Sequence, residues 1–284
     1  MKFQIQHRTS YVFDSPVHLE SQVIRLRPRA DAATRVLDFA MEIDPLPTVR
    51  AENLDIEGNL VAMTWFHGAT THLDIRTRAT VDTLVTDPFR FLIADPDRTL
   101  PYAYPTEIGE RLRQYRRAPD AAHPTVRAIA IDAAHASDRD QASFPFTLAR
   151  RIHRDFTVEV REGGAPLAAE ETVAAGRGAC RDLAVLYVEC ARAMGLAARF
   201  VSGYAYADDA TPGELHAWGE VYLSGGGWRG YDPSRGLAVS DQHVALAAAA
   251  ESADAAPVSG TYRGDEVASR LETELTMRAL PAPS

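Results

Sequence analysis

The sequence predicts an α+β protein in which a β-rich N-terminal domain precedes a mixed region of helices and strands. Three observations predict this order. Short runs within the first 84 residues alternate apolar and polar side chains, as half-buried strands do. Apolar residues then recur at helical spacing from Thr106 onward. After Gly195 the period returns to two, which predicts a second group of strands.

Turn signals divide the first region into short predicted strands. Asp14-Ser15-Pro16, Asp44-Pro45 and Glu57-Gly58-Asn59 contain residue types that favour turns. Several short strands at this spacing suggest an antiparallel sheet or a sandwich. The predicted strands are Phe3 to Ile5, Tyr11 to Phe13, Val36 to Ile43, Leu60 to Phe66 and Leu73 to Val85.

A stretch interrupted by prolines separates the two regions. From Asp87 to Pro105 the prolines and scattered polar residues leave no periodicity, which is typical of a linker or a connection that wraps the protein. We therefore predict a β-rich N-terminal domain at residues 1–86, a linker at 87–105, and a core with a C-terminal extension at 106–284.

Four helical patterns follow the linker, and the last is the strongest. The first three lie at about residues 106–115, 125–133 and 148–156. From Cys180 to Met194 the apolar residues form one stripe, and Gly195 stands where a left-handed C-terminal cap belongs. The stripe consists of Leu183, Leu186, Tyr187, Cys190 and Met194.

The rest of the chain predicts strands, one loop and one ambiguous segment. A polar loop at residues 208–213 separates the first two of these strands. Residues 243–256 are rich in alanine and fit either a short helix or a mobile segment. The strands are predicted at Ala197 to Tyr206, His216 to Leu223, Trp228 to Tyr231 and Val267 to Arg278.

Charge and hydropathy exclude several classes of partner. The chain has 30 Lys and Arg against 39 Asp and Glu, and the resulting net charge of −9 would repel a nucleic-acid backbone. The first sixteen residues lack the apolar segment of a secretory leader, and no later stretch has the roughly eighteen apolar residues of a membrane span. We therefore expect a cytoplasmic protein with no nucleic-acid or membrane partner.

Cys180 stands at the predicted start of the strongest helix, where a thiol can act as a nucleophile. Unpaired N–H groups at a helix N-terminus supply about half a positive charge, which favours a thiolate. Gly176 and Gly178 leave room for a substrate, and Arg181 adds positive charge. The alternative is a buried structural thiol, which is our interpretation of Cys190. A disulfide between the two is excluded, because ten helical residues rise about 15 Å.

A nucleophilic thiol needs a base and a group that orients it, and two residues suit these roles. His216 opens a predicted strand directly after a polar loop, from which an imidazole can reach a helix end. Asp232 follows the next predicted strand, so antiparallel pairing could set it beside His216. Asp232 could instead be only the turn residue before Pro233. A zinc site from these residues would lack a second cysteine, and we expect no metal.

Three motifs together resemble the bacterial transglutaminase-like proteins. They cover roughly residues 150–236, and the strands around Tyr11-Val12-Phe13 and Arg25-Leu26-Arg27-Pro28-Arg29 resemble the β-rich region that accompanies this core in many members. The motifs are Gly178-Ala179-Cys180-Arg181-Asp182-Leu183-Ala184 with the segment from Met194 to Tyr204, then His216-Ala217-Trp218-Gly219-Glu220-Val221-Tyr222, then Gly227-Trp228-Arg229-Gly230-Tyr231-Asp232-Pro233-Ser234.

The resemblance implies a papain-like transglutaminase core, in which the helix that bears the nucleophile packs on an antiparallel sheet. It assigns the nucleophile to Cys180, the base to His216 and the orienting acid to Asp232. It implies an enzyme that acts on amide bonds of a protein or peptide through a thioester, with water or an amine as acceptor. No cofactor is expected, since the sequence has no phosphate loop, dinucleotide fingerprint or EF-hand pattern.

A non-catalytic interaction module on the same scaffold is the alternative function. An intact set of nucleophile, base and orienting acid argues against it, because a docking scaffold needs none of the three. The sequence leaves the acyl acceptor, the oligomeric state and the role of the N-terminal domain open.

Overall fold

Two antiparallel sheets dominate the computed structural model of the protein, which describes residues 1–95, 97–117, 121–161, 163–208 and 213–281. The first sheet has seven strands and the second has five. Among the described residues, no helix combines the length and apolar character needed to cross a membrane.

The first sheet is organised around the long strand β1. The first half of β1 lies between β5 and β14, and its second half lies between β4 and β13. The strands are β1 (Lys2–Ile24), β2 (Thr34–Asp44), β3 (Val49–Leu54), β4 (Leu60–Trp65), β5 (Thr70–Thr83), β13 (Val258–Arg263) and β14 (Ser269–Leu280).

The predicted turn at Asp14-Ser15-Pro16 is wrong, because β1 continues through it. The register of β1 against β5 shifts between Val12 and Val17, so the extra residues form an irregularity inside the strand instead of reversing the chain. Proline has no N–H for a sheet ladder, which explains why Pro16 is tolerated at this break in the pairing.

Five α-helices and the second sheet form the rest of the described chain. The sheet has the strand order β11-β10-β9-β8-β12, and the short β6 and β7 pair separately in parallel. The elements are α1 (Thr106–Arg111), α2 (Pro124–Ala136), α3 (Phe144–Asp155), β6 (Thr157–Val158), α4 (Ala169–Ala175), β7 (Arg177–Gly178), α5 (Cys180–Ala193), β8 (Ala198–Ala205), β9 (Glu214–Leu223), β10 (Gly227–Asp232), β11 (Leu237–Ala238) and β12 (His243–Ala249).

The predicted helix at the strongest apolar stripe is confirmed as α5. Gly195 follows it with a φ of 80°, as expected for a residue beyond a helix C-terminus. The helix lies close to the second sheet, because a Cβ at Gly219 would come within 2.3 Å of the Tyr187 ring. The absent side chain at Gly219 therefore sets the distance between α5 and β9.

Half of the alanine-rich segment forms a strand, which corrects the expectation of a short helix or a mobile segment. Residues His243–Ala249 form β12 beside β8, and a 3₁₀ turn follows at Ser252–Ala255. Alanine favours helices, but Ala247 and Ala249 are fully buried and pack with Phe200 and Ala217. Small side chains suit this space, so tertiary packing outweighs helix propensity.

The connection at residues 87–105 packs against the buried cluster formed by the helices and the second sheet. Leu100, Tyr102 and Tyr104 are buried in the cluster that includes the inner face of α5. The backbone N–H of Tyr102 donates to the carbonyl of Met194 over 2.8 Å. The connection therefore holds the C-terminal end of α5.

The two sheets share apolar contacts. Tyr204 and Val244 of the second sheet belong to the same buried cluster as Phe3 of β1 and Met277 of β14. The strand predicted near residues 267–278 is confirmed as β14, and it returns the chain to the first sheet. The division at residues 86 and 106 stays a prediction, with the C-terminal extension contributing strands to the N-terminal sheet.

Candidate active site

Cys180 is the first residue of α5, and a network around Asp182 defines this helix start. The buried Asp182 carboxylate accepts from the backbone N–H groups of Ala179 and Leu167, each over 2.8 Å. It also accepts from the Arg161 guanidinium over 2.5 Å. An acidic side chain in the first turn suits the positive end of the helix dipole. Asp182 therefore fixes the backbone that carries the Cys180 thiol.

The backbone just before Cys180 is held by a short parallel strand pair. Thr157 and Val158 of β6 pair with Arg177 and Gly178 of β7. A Cβ at Gly178 would come within 2.9 Å of the Asp182 side chain, so this position requires glycine. Gly178 was expected from the sequence to leave room for a substrate, but it is buried, and the space beside it is filled by Asp182 and Thr172.

The two cysteines lie in different surroundings. Cys180 is partly exposed and packs against the cluster that contains Ala217, the chain neighbour of His216. Cys190 is fully buried, its thiol donates to the Val126 carbonyl over 3.5 Å, and burial raises its pKa far above the usual range. Only Cys180 is placed to meet a substrate.

Strand register brings His216 and Asp232 together. Strands β9 and β10 are antiparallel with Gly219 opposite Tyr231, so Asp232 comes opposite Trp218, one step further along. Residues two apart on a strand share a face, and Asp232 therefore projects from the same face as His216. The His216 Nε2 atom lies 2.7 Å from Asp232 Oδ2, and both side chains are buried.

The Asp232 carboxylate accepts hydrogen bonds at both oxygens. Oδ1 accepts from the Ser234 N–H over 3.0 Å, the Ser234 hydroxyl over 2.7 Å and the Arg235 N–H over 3.1 Å. Oδ2 accepts from His216 and, over 3.2 Å, from His243 Nε2. Burial opposes the charge, but the bonds from His216 and His243 outweigh it and hold the pKa of Asp232 well below its usual range.

The His216 ring is surrounded by groups that favour its charged form. Its Nδ1 atom lies 3.1 Å from the Glu214 carboxylate, which also pairs with Arg235 over 2.7 Å. Burial lowers the pKa of His216, but the hydrogen bond with Asp232 and the proximity of Cys180 and Glu214 outweigh burial and raise it well above the usual range. The nearby His216 ring in turn lowers the pKa of Glu214 to about 2.

The three residues predicted from the sequence thus lie in one place, at the start of α5 and the adjoining ends of β9 and β10. Four further residues contact them and were not anticipated: Glu214, Ser234, Arg235 and His243. Ser234 is the last residue of the third motif, so the sequence did indicate a role for it. The sequence contains no such indication for His243, which stands at the edge of the alanine-rich segment. Within the described parts of the chain, no His, Cys, Asp and Glu residues are grouped to hold a metal ion.

Two regions of the chain match known protein families. Residues 3–82 match the bacterial transglutaminase-like N-terminal region, and residues 129–233 match the transglutaminase-like superfamily. A candidate cysteine protease from Cytophaga hutchinsonii has a similar solved structure, with a TM-score of 0.71 and 22% identity, over 100% of this chain and 92% of that chain. The predicted fold, a transglutaminase-like core with a β-rich N-terminal region, is confirmed.

Relatives of similar length occur in mycobacteria. An uncharacterized protein of Mycobacterium leprae is 23% identical over 270 residues, which cover 93% of this chain and 94% of that protein. An uncharacterized protein of Mycobacterium tuberculosis is 27% identical over 292 aligned positions, which cover 91% of this chain and 87% of that protein. The similarity therefore extends over both sheets.

Proposed function

We propose that this chain, as a bacterial transglutaminase-like protein, is an enzyme. In this proposal, the Cys180 thiolate attacks amide bonds. The observation that carries the proposal is the buried His216–Asp232 pair, 2.7 Å from Nε2 to Oδ2, beside a partly exposed cysteine at a helix start. In the proposal Cys180 is the nucleophile, His216 the base and Asp232 the orienting acid.

The proposed reaction begins with an ion pair. His216 takes the thiol proton, and the Asp232 carboxylate stabilises the resulting imidazolium. The thiolate sulfur forms a bond to the amide carbon, and the carbonyl π electrons move to oxygen. The backbone N–H of Cys180, at the start of α5, is a donor suited to this oxyanion.

The tetrahedral intermediate then collapses. The carbonyl re-forms, the C–N bond breaks, and the imidazolium of His216 gives its proton to the leaving nitrogen. The products of this half-reaction are a Cys180 thioester and an amine, or ammonia when the substrate is a side-chain amide. Water or a primary amine, deprotonated by His216, then attacks the thioester and releases the free thiol.

Selective alkylation of the thiols tests the proposal without a known substrate. We expect iodoacetamide to label Cys180 much faster than Cys190 at neutral pH, since Cys190 is buried and serves as the internal control. The His216→Ala variant should lose this fast reaction. Equal labelling of Cys180 in the parent and in His216→Ala would overturn the enzyme proposal and favour the interaction module.

A product search distinguishes the two acceptors. A peptide library is incubated with the protein, with and without a primary amine, and analysed by mass spectrometry. Peptide-bond cleavage or conversion of glutamine to glutamate indicates water as acceptor, and incorporation of the amine indicates a transglutaminase. The proposed substrate is a protein or peptide, and the proposed location is the cytoplasm, which cell fractionation tests.

A further inference from the structure

His243 contacts the same oxygen of Asp232 as His216 does. It is the first residue of β12, and its side chain is 1% exposed. Its Nε2 atom lies 3.2 Å from Asp232 Oδ2. The ring of Trp218 packs edge-on against it, with 5.3 Å between ring centroids. The bond to Asp232 is therefore the hydrogen bond that orients this buried imidazole.

The hydrogen on this ring must reside on Nε2. A carboxylate can only accept, so the nitrogen that faces Asp232 has to donate. The Nδ1 atom is buried, and no hydrogen-bond partner for it occurs among the residues that the structure describes. Burial lowers the pKa of His243, which outweighs the opposing effect of Asp232. The charged groups around the ring are Asp232 on β10, His216 on β9 and Arg235 after β10.

We propose that His243 is a positioning residue for the reaction, which holds Asp232 Oδ2 toward His216 and shares the charge of that oxygen between two imidazoles. The inference rests on the proposed function, since it concerns the same site. His243 does not touch the substrate in this scheme. It acts on the nucleophile only through Asp232 and His216.

Unequal sharing follows from the two distances. His216 Nε2 is 2.7 Å from Oδ2 and His243 Nε2 is 3.2 Å from it, so His216 is the closer donor. A second N–H at one carboxylate oxygen still withdraws charge from it. The imidazolium of His216 is therefore less strongly stabilised than it would be by an unshared carboxylate. His243 keeps the base of the site from binding its proton too tightly.

Three variants test this role by histidine NMR, which follows the titration of His216 in the full chain. In His243→Phe the ring volume remains but the donor is lost, and the pH midpoint of His216 should rise. In His243→Gln the amide nitrogen stands near the former Nε2 position, and the midpoint should stay near that of the parent. His7→Phe is the matched control, because His7, on β1 of the first sheet, is also a buried histidine but bonds to Thr9 and to Tyr204 of β8 instead of to Asp232.

A midpoint of His216 in His243→Phe equal to that of the parent would overturn the proposal and leave His243 as a core residue. If His243→Phe does not fold, His243→Asn replaces it, because its shorter amide does not reach Asp232. The Asn variant should then show the raised midpoint and the Gln variant the parental one, and equal midpoints in both would overturn the proposal. Failure of the proposed function has a separate signature, which is slow alkylation of Cys180 in the parent protein.

Discussion

At the scale of single residues, Asp232 is the hardest residue of the site to replace, because both of its side-chain oxygens accept hydrogen bonds. Five donors, from His216, His243, Ser234 and Arg235, converge on a fully buried carboxylate. An asparagine at this position can offer its oxygen to one side only. Its amide group then faces donors on the other side, and at least one of them loses its partner.

We therefore expect Asp232→Asn to keep partial activity and Asp232→Ala to lose about a hundredfold or more. The amide oxygen of Asn can still accept from His216, whereas Ala leaves the imidazole without an orienting group. The Asn variant should also lose about 1–3 kcal/mol of unfolding free energy through the unpaired donors. Rates of Cys180 alkylation and denaturant unfolding measure the two effects. Parental alkylation by Asp232→Ala would reduce the site to a Cys–His pair.

The same residue should make the unfolding free energy of the protein decrease at acid pH. The folded-state pKa of Asp232 lies well below the value of about 3.9 expected in an unfolded chain. A depressed pKa stabilises the fold above the unfolded value, and this contribution is lost as the pH falls below about 4. The stability advantage of the parent over Asp232→Asn should therefore begin to shrink near pH 5 and should still be shrinking at about pH 3, because the folded-state pKa lies far below the unfolded one. Urea unfolding across that range checks this, and a constant difference would contradict it.

At the scale of elements, the two cysteines of helix α5 have different roles, one in the proposed chemistry and one in packing. Its first residue, Cys180, is partly exposed, whereas Cys190 lies fully buried on the face packed against α2. We expect Cys180→Ala to abolish acyl transfer at a cost of about 1 kcal/mol or less. Cys190→Asp should destabilise the fold by about 3 kcal/mol or more, since it buries a carboxylate without a partner. Thermal unfolding of both variants measures this, and equal melting of Cys190→Asp and the parent would contradict the buried face assigned to α5.

At the scale of the whole molecule, the C-terminal strands β13 and β14 connect the second region of the chain to the N-terminal sheet. Strand β14 pairs with β1 from Lys2 to Phe13, and its Met277 is 3% exposed in the cluster shared by both sheets. We therefore expect residues 106–284, expressed alone, to aggregate. Strands β13 and β14 both pair with β1, and without β1 their edges would be unpaired and exposed. Size-exclusion chromatography checks this. A monomer that unfolds cooperatively would show that the second region is independent of the first.

The sequence alone determined the elements whose periodicity is unambiguous and the three residues proposed for catalysis. The apolar stripe and Gly195 predicted α5 within one residue of its end, and alternation predicted β8, β9, β10 and β14. These signals are local, since each depends on side chains within one helix or strand. The candidate nucleophile, base and acid were placed together by motif resemblance and by the expected pairing of two neighbouring strands.

Only the tertiary structure decided what depends on distant contacts. Whether His243–Ala249 forms a helix or a strand was set by the narrow space beside β8, which helix propensity cannot reveal. Whether Pro16 ends a strand was set by neighbours on both sides of β1, which hold it extended. The contact between His243 and Asp232 joins the start of β12 to the end of β10. It depends on the strand order of the second sheet, which no local sequence pattern encodes. Burial and register are properties of the whole chain, and they are the physical reason that these features required the structure.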